Sequence, residues 1–138
     1  MISKGILLEA GGLEYLLPLG NVHDMVELPR RQCHRYGALL LAQVRGNTYS
    51  IFNLAERLGL IPAEATELSV AIVQAGALMY GLVVDKLISE VEVLVKPLTG
   101  GLEHCKEFQG AAIMGNGRVV LVLNALHCHG LERSACSK

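Results

Sequence analysis

Short apolar segments recur along the chain, and most of them end at a turn signal. Segments of strand length lie at residues 6–9, 15–19, 39–44, 49–54, 68–75, 78–87, 90–95, 111–114 and 119–123. Pairs of glycines, or of glycine and asparagine, follow several of them and suit tight hairpins, because both residues tolerate a positive φ. The pattern predicts an all-β protein. Short helices are predicted only at residues 53–60, 62–67 and 124–131.

The chain also repeats itself weakly in two separate stretches. The same spacing relates Gly46, Ile51, Asn53, Gly59 and Leu60 to Gly117, Val122, Asn124, Gly130 and Leu131. A second match relates Tyr15, Leu17, Leu19 and Val22 to Tyr80, Leu82, Val84 and Leu87. These matches predict a single domain over residues 1–138 that contains two similar β units, at about 13–75 and 76–131. Each unit alone would bury little surface, so we expect the two to pack on each other.

Composition disfavours two kinds of partner. The formal net charge is −1, without a basic block, so duplex nucleic acid is not expected to bind. The one dense cluster, Arg30, Arg31, His34 and Arg35, is interpreted as a solvated loop. No apolar run approaches the roughly 20 residues of a membrane-spanning helix, and the first residues do not resemble a secretory signal. We therefore expect a cytoplasmic protein with reduced cysteines.

Residue patterns that carry catalysis are weak in this chain. There is no glycine-rich phosphate loop followed by Lys and Ser or Thr, and no serine lies in a nucleophile elbow. His23, Asp85 and Ser89 could form a triad only on paper, since most chains of this length allow such a choice. We predict no catalytic residues and no cofactor.

Cysteine and histidine occur together in the sequence. Four of the five histidines adjoin a cysteine, in Cys33-His34, His104-Cys105 and His127-Cys128-His129. Thiolate and imidazole are ligands that zinc prefers. No Cys-x-x-Cys pair is present, however, and neighbours in an extended segment point to opposite faces. Buried thiols and surface histidines are the simpler interpretation, and a small zinc-binding or redox protein stays open as an alternative of a different class.

Three segments of the second half resemble one family. They are Gly-Leu-Val-Val-Asp at 81–85, Glu-Val-Leu-Val-Lys-Pro-Leu at 92–98, and Gly-Ala-Ala-Ile-Met-Gly-Asn-Gly-Arg-Val at 110–119. Segments of the first half, at 15–22, 44–47 and 52–59, agree with the same family. Over about residues 5–131 the chain resembles the CheW-like domain, above all the one at the C-terminal end of CheA-type histidine kinases. Asn116 stands where the family commonly has Asp, and both residues suit the turn.

The resemblance implies a fold, a role and partners. The fold would be two small SH3-like five-stranded β-barrels packed on a shared hydrophobic core. The role would be that of a non-catalytic adaptor or regulatory module that couples chemoreceptors to a histidine kinase in bacterial chemotaxis, at membrane-associated receptor arrays. The partners would be the CheW adaptor, the CheA kinase, or both, and the cytoplasmic tips of methyl-accepting chemotaxis receptors. The Val-Lys-Pro-Leu stretch and the Gly-Asn-Gly-Arg hairpin favour the kinase-borne domain, with a free-standing CheW adaptor as the alternative.

The same resemblance points to docking residues in the first unit. It places them at Val22, Asp24, Arg45 and Gly46. Arg45 could offer its planar fork of donors to a carboxylate on the partner. The sequence therefore predicts a docking surface at the hairpin that contains Arg45.

Apolar docking residues are expected on the hairpin arms of both units. SH3-like barrels have open corners, where apolar side chains and unpaired backbone groups are exposed. We expect the exposed residues to be Ile51 in the first unit and Val120 or Val122 in the second. Two such surfaces on one molecule predict weak self-association of the chain alone, and tighter pairing with CheW.

Overall fold

The computed structural model describes residues 2–129, which form strands joined by short turns. The strands are β1 (Ile2–Ala10), β2 (Leu13–Pro18), β3 (Val22–Pro29), β4 (Cys33–Tyr36), β5 (Leu39–Val44), β6 (Asn47–Asn53), β7 (Glu67–Ala75), β8 (Leu78–Val84), β9 (Lys86–Lys96), β10 (Phe108–Ile113) and β11 (Val119–Leu123). One helical turn, α1 (Leu54–Arg57), follows β6, and 3-10 turns lie at Leu19–Asn21, Arg30–Gln32 and Leu102–His104. The predicted all-β class is confirmed. Within residues 2–129, no helix has the length and apolar character needed to cross a membrane.

Of the three predicted helices, the structure contains the first. Asn53 caps α1, because its Oδ1 accepts a hydrogen bond from the backbone N–H of Glu56 at 3.2 Å. The prediction at 62–67 is wrong, since the backbone of this segment is bonded to other elements: Ala63 donates to Asp85, and the Ala65 carbonyl accepts from Arg30. Residues 124–129 form turns instead of a helix, and residues 130 and 131 lie outside the described residues.

The strands form two β units. In the first, β1, β2, β11, β10 and β9 close into a barrel, in which β11 runs parallel to β2. In the second, a six-stranded sheet has the order β3-β7-β8-β6-β5-β4. Its two edge strands, β3 and β4, are consecutive in sequence and are joined by the 3-10 turn at Arg30–Gln32. The predicted architecture of two small β units is confirmed, with six strands instead of five in the second unit.

The two units are not consecutive halves of the chain. The barrel combines residues 2–18 with residues 86–123, whereas the sheet uses residues 22–84. The predicted boundary near residue 75 therefore differs from the structure. The reason is an exchange of matched strands: β2 of the first half pairs with β11, and β8 of the second half pairs with β6. Each unit consequently needs a strand from each half of the repeat.

Within residues 2–129, buried apolar side chains form three clusters. One lies inside the barrel, one lies inside the six-stranded sheet, and the largest lies between the two units. Alternation along the strands explains the division, because Leu7 and Leu16 point into the barrel while their neighbours Leu8 and Leu17 point into the cluster between the units. Tyr80 of β8 reaches the same cluster from the sheet. The predicted shared core is thereby confirmed.

Candidate docking site

The β5–β6 hairpin turns at Arg45 and Gly46, one residue earlier than the glycine–asparagine pair predicts. Both residues have a positive φ, 49° for Arg45 and 85° for Gly46. Glycine adopts such a φ readily, but a residue with a side chain is destabilised there by about 1–2 kcal/mol. Among residues 2–129, Arg45 is the only non-glycine residue in this region of φ. Strained backbone of this kind persists where surrounding contacts hold it, and it clusters at binding sites.

Asp24 on β3 holds the Arg45 side chain. Arg45 Nε lies 2.5 Å from Asp24 Oδ2 and Nη2 lies 3.4 Å from Oδ1, so guanidinium and carboxylate meet fork to fork. The hydrogen bond from Arg45 is the main cause that holds the pKa of Asp24 below its ordinary value, and the backbone N–H of Met25 adds to it. Two of the predicted docking residues therefore contact each other. The guanidinium of Arg45 pairs with a carboxylate of its own chain, and not, as predicted, with one on a partner.

The other two residues predicted for this surface differ in exposure. Gly46 is exposed beside Arg45, whereas Val22 is half-buried and packs against the core between the units. Met25 was not predicted, although it is exposed next to Asp24 and lines the same shallow depression as Arg45. A large apolar residue directly after a charged docking residue is the signal that could have indicated it.

Ile51, Val120 and Val122 are buried, so the expectation that hairpin arms expose them is wrong. Their exposed fractions are 2%, 6% and 2%. Ile51 packs inside the six-stranded sheet, and the two valines pack inside the barrel. Val120 and Val122 are two residues apart on β11 and therefore share a face, which is the inner one.

An aliphatic row lies on the outside of the barrel instead. Ile2 of β1 is directly opposite Leu94 of β9, Leu94 is opposite Ile113 of β10, and Ile113 is opposite Val119 of β11. Opposed residues of neighbouring strands lie on the same face of a sheet. Ile2 is 75% exposed and Val119 62%, while Leu94 and Ile113 are partly exposed. These four residues form a continuous apolar strip across four strands, which we call the aliphatic row.

The cysteines do not form a reactive or metal-binding site in the described part of the chain. Cys33 and Cys128 are free thiols, and burial raises the pKa of both, that of Cys128 to about 12. Burial thereby favours the protonated thiol, which is the less nucleophilic form. Cys105 is disulfide-bonded, which corrects the expectation that all four cysteines are reduced. Among residues 2–129, no three His, Cys, Asp or Glu side chains are placed to share a metal ion, and Cys136 lies outside these residues.

Asp85 has a structural role in the fold. Its carboxylate accepts hydrogen bonds from the backbone N–H of Gly11 at 2.8 Å and of Ala63 at 3.2 Å. Asp85 thereby connects the β1–β2 turn to the segment that precedes β7.

Fold and surface together define a class of protein: a two-unit β module that exposes an ion-paired hairpin and an aliphatic row. The CheW-like domain model matches residues 4–128, and the chain belongs to this family. Chemotaxis protein CheA of Salmonella typhimurium is 29% identical over 135 residues, which are 96% of this chain and 20% of that protein. Chemotaxis protein CheA of Listeria monocytogenes is 30% identical over 126 residues, which are 89% of this chain and 20% of that protein.

The chain spans about a fifth of the length of these two relatives. A solved structure, the scaffolding protein TtCheW from Thermoanaerobacter tengcongensis, superposes with a TM-score of 0.68 at 16% identity, over 90% of both chains. This likeness shows that the two share a fold.

Proposed function

We propose that this chain is a non-catalytic docking module that couples chemoreceptors to a histidine kinase in bacterial chemotaxis, as the regulatory domain of a CheA-type kinase. The match to CheA proteins over nearly the whole chain supports this choice. A free-standing CheW adaptor is the second candidate, since TtCheW has the same fold. The module would lie in the cytoplasm, at the receptor arrays. The reading frame upstream of Met1 separates the candidates, since fused kinase domains would support the first.

The observation that carries the proposal is the Asp24–Arg45 pair at a left-handed turn. A two-residue hairpin turn of this type requires a positive φ at both of its positions, so the turn holds the Arg45 side chain at a defined place on the surface. The side chains of Arg45 and Asp24 are 68% and 24% exposed, so a partner can reach both charges. A partner that covers the pair would exclude water from it and strengthen its hydrogen bonds. The partner would also meet the exposed Met25 next to it.

The aliphatic row supplies a second surface, which we assign to pairing with a CheW-type barrel. Aliphatic side chains that lie side by side in water favour association, because the contact removes apolar area from solvent. The row lies on the barrel, whereas the Asp24–Arg45 pair lies on the six-stranded sheet. Two different surfaces on one molecule allow head-to-tail contacts, which close into a ring when the rotation permits. Self-association would be weak, and pairing with CheW tighter.

A binding measurement with a receptor-tip fragment tests the first surface. We expect Arg45→Glu to weaken binding by at least about tenfold, because two like charges would face each other across the former ion pair and a partner would meet the wrong sign. Arg118→Glu is the matched control, since Arg118 pairs with Glu14 on the other unit. The side-chain exposures are 68% and 24% for the Arg45 pair and 53% and 24% for the Arg118 pair. Equal binding by wild type and Arg45→Glu would remove the hairpin from the docking surface.

A further inference from the structure

A groove with an apolar floor and arginines on its rim lies beside the edge strand β4. It holds about 410 Å³ and is separate from both the Asp24–Arg45 pair and the aliphatic row. The floor is formed mainly by Leu40, Ile51, Phe52, Leu68 and Val83. Arg30, from the turn after β3, and Arg35, on β4, stand at the rim. We call this feature the arginine groove.

The charge of this region differs from that of the rest of the chain. Residues 28–55 contain four arginines and no Asp or Glu. The whole chain has 12 basic and 13 acidic residues, so eight basic and thirteen acidic residues remain elsewhere. Arg30 and Arg35 line the groove together with Glu56, whereas Arg45 pairs with Asp24 on a separate surface. The groove lining therefore keeps an excess of positive charge, which would attract an anionic segment.

The rim arginines have no carboxylate partner inside the described chain. Arg45 pairs with Asp24, but within residues 2–129 neither Arg30 nor Arg35 forms an ion pair. Arg30 Nε donates to the Ala65 carbonyl at 2.9 Å, which fixes the side chain and leaves its terminal nitrogens for a ligand. Glu56 is the one carboxylate in the groove lining, so the rim keeps a positive excess.

Backbone geometry favours an extended occupant. β4 pairs with β5 on one side and is an edge of the sheet on the other, where its backbone groups can accept an added strand. Cys33 packs toward the sheet interior, and Arg35, two residues later, shares its face and lines the groove.

We propose that the arginine groove binds an extended acidic segment of a partner protein. One aliphatic or aromatic side chain of the segment would lie on the apolar floor, and flanking carboxylates would pair with Arg30 and Arg35. The inference rests on the proposed docking function and adds the chemistry of one partner. Nucleic acid does not fit as well, because its phosphates would satisfy the arginines but leave the aliphatic floor uncovered.

An NMR titration of the full chain tests the proposal. The probe is a synthetic peptide in which Glu alternates with Leu, and its controls carry Gln or Lys in place of Glu. We expect the acidic peptide to shift the signals of Leu40, Leu68 and the Arg35 side chain, and to bind more weakly as salt is raised. Arg35→Glu and Arg30→Glu should each weaken binding by about tenfold. Arg31→Glu is the matched control, because Arg31 is exposed in the same turn and does not line the groove.

Three results would overturn the inference: no binding at millimolar peptide, equal binding of the Gln or Lys peptide, or an equal loss in Arg31→Glu. The receptor-tip measurement distinguishes a failure of the groove proposal from a failure of the proposed docking function. Arg30→Glu/Arg35→Glu leaves the Asp24–Arg45 pair intact, so it should still bind the receptor-tip fragment while losing the peptide. A wild type that binds the peptide but no receptor tip would contradict the proposed function and leave the groove assignment standing.

Discussion

Arg57 of α1 and Glu107, one residue before β10, form a buried ion pair with 3.0 Å between Nη1 and Oε2. Arg57 also donates hydrogen bonds to the backbone carbonyls of His129 at 2.9 Å and His127 at 3.2 Å. Within residues 2–129, neither carboxylate oxygen of Glu107 receives a well-aligned hydrogen bond. One arginine of the sheet unit therefore holds two segments that adjoin the barrel strands β10 and β11.

Removing Arg57 is expected to destabilise the protein strongly. Arg57→Met would leave the Glu107 carboxylate buried without a counter-charge, and such losses cost about 3–5 kcal/mol. The backbone carbonyls of His127 and His129 would lose their donor as well. Urea unfolding followed by circular dichroism measures the change in the free energy of unfolding.

Two further variants separate this charge effect from a general loss of packing. Arg57→Met/Glu107→Leu removes both charges and should recover a large part of the lost stability. Arg118→Met breaks the exposed pair with Glu14, and we expect it to change stability by less than about 1 kcal/mol. If Arg57→Met were as stable as wild type, the buried pair would have no structural role.

The apolar segments and the weak repeat predicted nine strand segments, but they missed β3 and β4 and did not show which strands pair. Ile51 lies opposite Gly81 in the parallel pairing of β6 and β8, and Val122 lies opposite Leu16 in that of β11 and β2. The repeat spacing makes Ile51 equivalent to Val122, and Gly81 equivalent to Leu16. The two parallel pairings therefore have the same register. Periodicity reveals such strands because it is local, but their exchange between halves depends on long-range packing that no local pattern contains.

The family resemblance predicted two residues of the candidate site, but not that they contact each other. Asp24 and Arg45 were both expected, and the structure brings them together. Val120 or Val122 was expected on the outside, and both lie inside, because they share one face of β11 and hydrophobicity alone does not tell which face of a β-strand is covered. Predicting the aliphatic row requires the register of four strands, and predicting the Arg57–Glu107 pair requires the packing of the two units. Neither could therefore be predicted from the sequence.

Gly81 is expected to tolerate no side chain. A Cβ added there would lie 2.6 Å from Ile51 Cγ2 and 3.2 Å from Val70 Cγ1 inside the sheet. Gly81→Ala should therefore destabilise the protein by about 1–3 kcal/mol through overpacking. Thermal unfolding measures the effect. Gly20→Ala is the control, because an added Cβ there meets no atom within 4 Å.

A second substitution tests whether the clash at Gly81 is the cause. Gly81→Ala/Ile51→Ala removes the Cγ2 methyl that the added Cβ would meet, and it should be more stable than expected from the sum of the two single changes. Strict additivity of the two effects would show that Ile51 does not limit the space at Gly81.

The contribution of the Asp24–Arg45 pair to the stability of the protein should decrease as the pH falls. The hydrogen bond from Arg45 lowers the pKa of Asp24 below its ordinary value of 3.8. A carboxyl whose pKa is lowered by folding stabilises the protein above its ordinary pKa, and this contribution is lost as the pH falls through the folded value. In Arg45→Gln, an NMR titration of the side-chain carboxyl should show a higher pKa for Asp24. The variant should be less stable than wild type near neutral pH, and this difference in the free energy of unfolding should become smaller in acid. An unchanged pKa in Arg45→Gln would show that the pair does not persist in solution.

The final pair of variants compares an exposed position with a buried one, so that a loss of association can be told apart from a loss of folding. Val119 lies at the end of the aliphatic row and is exposed, so Val119→Asp should keep the fold and weaken pairing with CheW. Ile51 is buried inside the six-stranded sheet, where an unpaired carboxylate would be strongly destabilising, so Ile51→Glu should unfold the chain. Analytical ultracentrifugation with and without CheW measures the pairing, and circular dichroism measures the fold.

Leu126→Asp is the matched control for these variants, because Leu126 is exposed to a similar degree and lies outside the aliphatic row. A general loss of surface hydrophobicity would weaken pairing equally in Val119→Asp and Leu126→Asp. A specific contact through the row would weaken only the first, and Ile2→Asp, at the opposite end of the row, should repeat the effect. If CheW paired equally well with wild type, Val119→Asp and Ile2→Asp, the aliphatic row would not be the surface that joins the two proteins.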